Sequence, residues 1–244
     1  PAKTEEHPTG RSIPLLASSL ALVALVHTLL AADHAEKLTN LVLATLALWM
    51  LDIALCWHTV ARWYWLHAAG NLVVTIFTWQ DTVRTFYDPA ASLSGQYNMM
   101  PAYVVPAIHI YHAAMFKCSR ADIVHHVVFA GTCGPAGLFL KTGPVQNAFG
   151  MFVCGLPGGA DYAMLAMVKH GWMSRLTEKV TNARINVWLR SPGLLFVAFA
   201  MLQASASYEP WRRSVYIFFA LLCAANGQYY MQVVVGNTFI KSRE

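Results

Sequence analysis

Eight continuous apolar runs constrain this 244-residue chain more than any other feature. They cover 13–32, 38–57, 63–80, 101–116, 122–140, 147–168, 192–207 and 214–235, with polar breaks between them. About 20 residues of helix cross the hydrocarbon core of a bilayer, so most runs are long enough and two are marginal. Because the runs are continuously apolar rather than alternating, they select helices over a β-barrel. The expectation is an all-α fold, a polytopic transmembrane helical bundle of about eight spans.

Composition supports that class. Hydrophobic residues make up 57% of the chain and charged residues 12%, roughly half the charged share of an ordinary soluble domain. The formal net charge of +5 comes from 17 Lys and Arg scattered singly between apolar runs. That is the pattern of topology determinants and excludes nucleic acid as a partner. Five cysteines, none in a CxxC pair, exclude a disulfide scaffold.

The expected organisation is a polar tail over 1–12, two N-terminal transmembrane helices over 13–58, a helical membrane domain over 63–235 and a polar tail over 236–244. The loops over 81–100 and 169–191 are expected to be the longest. The second is basic with interleaved apolar residues, as in a positive-inside loop or a segment lying on an anionic lipid surface. With eight spans, Lys37, Arg84, Lys141, Arg212 and Arg213 fall on one side and the other twelve of the 17 basic residues on the side of the N-terminus. This bias places both termini on the positive-inside face. The missing initial Met is taken as processing or trimming, of which a removed organellar targeting peptide is one cause.

Ionisable residues at membrane depth are costly and face a bundle interior or a watery cavity. The stretch "RADIVHHVVFAG" sets Asp122, His125 and His126 at i, i+3 and i+4 of a helix, so the carboxylate can reach back to either imidazole. A carboxylate-oriented histidine suits general base work on a hydroxyl, amine or thiol. The loop "KCSRA" makes spans four and five a tight hairpin, which brings His109 and His112 of "HIYH" to the depth of His125 and His126. His67, Asp52 and Asp161 are expected to approach the same layer as part of a lipid or substrate pocket. The competing reading is that each histidine is a core residue held by interhelical hydrogen bonds, or snorkels to headgroups.

From about residue 63 to 201 the order of features resembles the TLC-domain family, named for translocation-associated membrane proteins, Lag proteins and CLN-type lipid proteins and including ceramide synthases. "RWYWLHAAGNLVVTIFTW" is similar to that family's opening helix, "FYDPAASL" to its polar loop, and "SRADIVHHVVFAG" to its double-His signature. "NAFGMFVCGLPGGADYAMLAMVKHGW" stands where the family has a helix carrying later polar residues. The chain departs from the pattern in two places. His109 or His112 stands where family enzymes have an Asp before the double His, and Asp161 is the one acidic residue in the later helix.

The resemblance implies a lipid protein that transfers a fatty acyl group, with His125 or His126 as base and Asp122 as orienter, and His112 in the catalytic set. A bound lipid is expected rather than a cofactor, with membrane lipids as partners and the endoplasmic reticulum as location. The alternative is a non-catalytic accessory subunit of a larger organellar complex, for instance in the mitochondrial inner membrane, with other membrane subunits as partners. A metal or haem protein ranks third: "HIYH" with "DIVHH" is similar to the histidine boxes of membrane desaturases, but the remaining boxes are missing, so no metal is assigned.

Overall fold

The computed structural model describes residues 18–19, 21–25, 30, 32–140 and 142–243. The polar tail over 1–12 and most of the first expected span therefore lie outside the described residues. From Ala32 on, the described chain is a succession of seven helices. α1 is Ala32–Leu51, prolonged by a π-helical turn at Asp52–Cys56. α2 is Arg62–Tyr87 and α3 is Met100–Met115. α4 joins Arg120–His125, a π turn at His126–Ala130 and Gly131–Phe139. α5 is Pro144–Lys169, α6 is Arg175–Ser205 and α7 is Pro210–Lys241.

Among the described residues, four helices, Ala32–Cys56, α5, α6 and α7, are long and apolar enough to cross a membrane. The side chains fit that reading. Leu55, Ile76, Val124, Val127 and Leu221 are exposed, while Asp52, Asn71, Asp81, Asn147, Glu178 and Asn226 are buried. In water that distribution would be inverted; in lipid the polar groups must turn inward.

Proline starts several helices, at the first turns of α3, α5 and α7, where its missing N–H would have no partner anyway. Two hydrophobic clusters form. One joins α1, α2 and α3 around Leu48, Leu66, Val74, Ala107 and Tyr111. The other joins α5, α6 and α7 around Val145, Phe152, Leu194, Val197 and Cys223. α2 packs against α3 on one side and along α5 on the other, so it is the hinge line between the clusters.

Two expected loops are corrected. The segment over 169–191 is not a loop: after a turn over 170–174 it is the first half of α6. Ser174 caps that helix, its Oγ accepting from the Thr177 N–H at 3.0 Å. Glu178, Asn182 and Asn186, spaced by four, form a buried stripe. Their polarity made the segment look solvated, whereas it faces the bundle interior. The segment over 81–100 is likewise helical through Tyr87, because Asp81, Thr82 and Thr85 are buried. The expected C-terminal tail is helical to Lys241.

Asp81 ties one end of this core. Its Oδ2 accepts from Asn147 Nδ2 at 2.7 Å and from the Asn98 N–H at 2.9 Å, and Asn147 Nδ2 also donates to the Asn98 carbonyl at 2.8 Å. The turn into α5 is equally specified. Gly143 has φ +66° and ψ −168°, a region that only glycine adopts readily. A Cβ there would sit 2.6 Å from the Leu93 carbonyl carbon. Gly143→Ala is expected to destabilise the protein by about 1–3 kcal/mol, measured as a lowered thermal unfolding midpoint in detergent, whereas Gly236→Ala, with nothing within 4 Å of the added Cβ, should not.

Candidate functional site

A cavity of about 410 Å³ opens between the two clusters, walled by α2, α3, α4, α5, α6 and α7. Much of its wall is apolar, with Val105, Pro106, Phe149 and Val153 among the lining residues. Set into that wall are His67 and Asn71 from α2, His109 from α3, His125 from α4, Asp161 from α5, and Asn186 and Arg190 from α6. Several present buried polar atoms with no hydrogen-bond partner among the described residues: His67 Nδ1, both amide atoms of Asn71, Asn186 Oδ1 and Arg190 Nε. Leaving a buried donor or acceptor unpaired costs about 1–3 kcal/mol, so a cluster of such atoms around one cavity is the mark of a site that meets a polar ligand or water.

The histidines form two pairs across the α3–α4 hairpin. His109 Nδ1 lies 2.8 Å from the Val105 carbonyl, which can only accept, so Nδ1 carries the proton. His109 Nε2 is then an acceptor, and His125 Nε2, 3.2 Å away, donates to it. This leaves Nδ1 as the basic atom of His125. In the second pair His112 Nδ1 lies 3.3 Å from His126 Nε2, and the His112 ring stacks on Trp63 with centroids 3.9 Å apart. His112 and His126 are not among the residues lining the cavity. The adjacent histidines therefore point to different surroundings, as side chains about 100° apart on a helix must.

Asp122 lines the cavity, but its carboxylate does not orient a histidine as expected. Oδ2 accepts from the N–H and the Oγ of Ser119, at 2.8 and 2.7 Å, and Ser119 Oγ accepts from the Asp122 N–H at 3.2 Å. This capping box starts α4. The partners that set the imidazole tautomers are the histidines of α3.

Asp52 is also placed differently. It is fully buried, and its carboxylate is held by Arg62 and Tyr111: Nε of Arg62 donates at 2.7 Å, the Tyr111 hydroxyl at 2.6 Å, and Nη2 of Arg62 completes a two-pronged ion pair. The guanidinium carbon lies 4.0 Å from the centre of the Trp57 ring. Asp52 is thus a structural anchor beside the histidine layer, outside the cavity lining. His67 and Asp161 do reach the cavity. His67 stacks on Tyr162 at 3.7 Å, and Asp161 accepts from Asn182 Nδ2 at 2.7 Å.

The residues the sequence reading missed are Asn71, Asn182, Asn186, Arg190 and Tyr230. Arg190 was counted among the loop charges. It is instead inside α6, where Nη2 donates to Asn226 Oδ1 at 3.2 Å and the guanidinium lies 4.8 Å from the Tyr230 ring. The signal that would have found these residues is an amide or guanidinium every fourth position in one stretch, Asn182, Asn186 and Arg190. Each of the four described π turns, at Asp52–Cys56, His126–Ala130, Met151–Gly155 and Asn186–Arg190, carries residues of the cavity or its anchors. Such turns insert an extra residue into a helix and re-aim side chains, and they collect at functional sites.

No family model, curated protein or solved structure matches this chain.

Arg62→Ala is expected to destabilise the fold by about 3–5 kcal/mol, because it strands a buried carboxylate. Tyr111→Phe should cost only about 1.5–3 kcal/mol, one hydrogen bond to a charged group. Thermal unfolding of both variants in the same detergent checks the order.

Proposed function

We propose that this is a multi-pass membrane protein of TLC-like architecture whose cavity holds the polar end of a lipid, and that His125 acts there as general base in fatty acyl transfer. The single observation that supports this reading is the cavity itself, apolar in most of its wall and studded with buried polar atoms that lack partners. An acyl chain matches the apolar wall, and an amine, hydroxyl or thioester matches the amides and imidazoles.

In the proposed reaction His125 Nδ1 takes the proton of an amine or hydroxyl as that group attacks the carbonyl carbon of an acyl thioester. The C–S bond then breaks, the new C–N or C–O bond remains, and the proton passes to the departing thiolate. Through its hydrogen bond, His109 holds the tautomer in which Nδ1 of His125 carries no proton. His126, His112 and Asp122 support this group from outside the reacting position.

The finer topology, about eight spans with both termini on one face, belongs to the same proposal. Arg62 and Arg190 leave the count of loop charges because both are held inside the bundle, yet the remaining basic residues keep their bias. Labelling of tags at the two ends from one side of a sealed vesicle supports the topology; labelling from opposite sides rejects it.

The functional test combines native mass spectrometry with an acyl-transfer assay on the purified protein. Wild type is expected to retain a lipid, and Val105→Trp, which fills the cavity, to lose it. His125→Ala should lower transfer by about 10²–10⁴-fold, the usual contribution of a general base. Asp122→Asn should act mainly on stability, by about 0.5–2 kcal/mol, as loss of a helix cap. A wild-type protein that carries no lipid and transfers no acyl group overturns the proposal. Lipid retention without transfer leaves the binding site and removes the catalytic role.

A further inference from the structure

The pair of histidines outside the cavity lining is not alone. His112 closes α3, His126 opens the π turn of α4, and Cys118 lies on the connection between them. One donor atom from each of the three, a ring nitrogen from each histidine and the Cys118 Sγ, lies within 4.8 Å of the other two. We propose that His112, Cys118 and His126 form a binding site for a divalent metal ion of zinc type, outside the cavity lining.

The distances carry the argument. Zinc binds imidazole nitrogen at about 2.0–2.1 Å and thiolate sulfur at about 2.3 Å, in a tetrahedron. Two nitrogen ligands of such an ion are about 3.3 Å apart, and a nitrogen and a sulfur about 3.6 Å. His112 Nδ1 and His126 Nε2 already stand 3.3 Å apart. Cys118 needs to close by about 1.2 Å at most to reach that spacing, and it sits on the connection, half-buried, rather than in a helix.

Donor chemistry narrows the ion. Two imidazoles and a thiolate suit zinc and its softer neighbours and disfavour magnesium and calcium, which take oxygen ligands. Three protein donors leave a fourth position for water or for the Asp122 carboxylate, which lies one helical turn before His126 on α4. The His112 ring is locked by stacking on Trp63, so one arm of the site is preorganised. A bound ion would clamp the hairpin at the point where α4 changes from an α to a π turn. It would also fix the backbone that carries the neighbouring His125.

The full chain, purified in detergent and stripped with a chelator, is titrated with Co²⁺ and separately with Zn²⁺. The expected result is one ion per chain, with the visible bands of tetrahedral cobalt and a thiolate-to-cobalt charge-transfer band. Cys118→Ser should remove the charge-transfer band and weaken binding at least tenfold, and His126→Ala should abolish stoichiometric binding. Cys133→Ser, which changes a thiol outside the set, should leave the spectrum intact. A wild-type protein that takes up no more metal than the Cys118→Ser variant overturns the proposal, as does a charge-transfer band that survives in that variant. If His126→Ala does not fold, Cys118→Ser alone decides.

Discussion

The buried ion pair between Asp52 and Arg62 is the interaction on which the rest of the arrangement hangs. A carboxylate removed from water is costly unless a charge and hydrogen bonds surround it. Here Arg62 and Tyr111 supply them, and Trp57 covers the guanidinium. The contact joins the end of α1, the start of α2 and the last turns of α3 at one point. Trp63 follows Arg62, and His112 follows Tyr111, so fixing the ion pair also sets the stacked Trp63–His112 contact. From there the hairpin to α4 brings His126 and His125 to their partners.

Polar groups inside the bundle fall into two kinds. The hydroxyls of Thr75, Thr78, Thr82 and Thr85 donate to carbonyls of α2 itself, at 2.7–2.9 Å, and so bring no unmet demand into the apolar interior. Asp81 and Asn147 satisfy most of each other's demand at the far end of α2. His67, Asn71, Asn186 and Arg190 differ, since each keeps a buried atom without a partner among the described residues and all four border the same cavity. Open polar demand gathered around one cavity marks the place where a bundle meets a polar ligand or water.

The π turns show how the shape is reached. A regular helix repeats its faces with a period of 3.6 residues, which keeps an apolar stripe in register with lipid along its whole length. The extra residue of a π turn shifts that register. In α6 the shift comes at Asn186–Arg190, where the helix passes from its polar half, with Asn182 inward, to the apolar half starting at Ser191. In α4 it comes between His125 and His126, which then serve different neighbours.

Helical class and the hairpin of α3 and α4 were legible in the sequence, because both depend on local quantities: the length of apolar runs, and the few residues between them. The same short connection set His109 and His112 at the depth of His125 and His126, whereas which imidazole meets which came from the fold. Hydropathy failed where polarity was inward. The segments over 81–87 and 175–190 looked like loops because their Asp, Asn and Glu residues were scored as solvent-seeking, although tertiary packing turns them toward one another and the cavity. The same blindness moved Arg62 and Arg190 into the loops, left Asp52 without a named partner and assigned Asp122 to the imidazoles. A residue type states what it can donate or accept, whereas only the fold places the atom that answers it. Hence Asp122 went to Ser119 rather than to a histidine, and one imidazole of the double-His stretch lines the cavity while the other meets His112 across the hairpin.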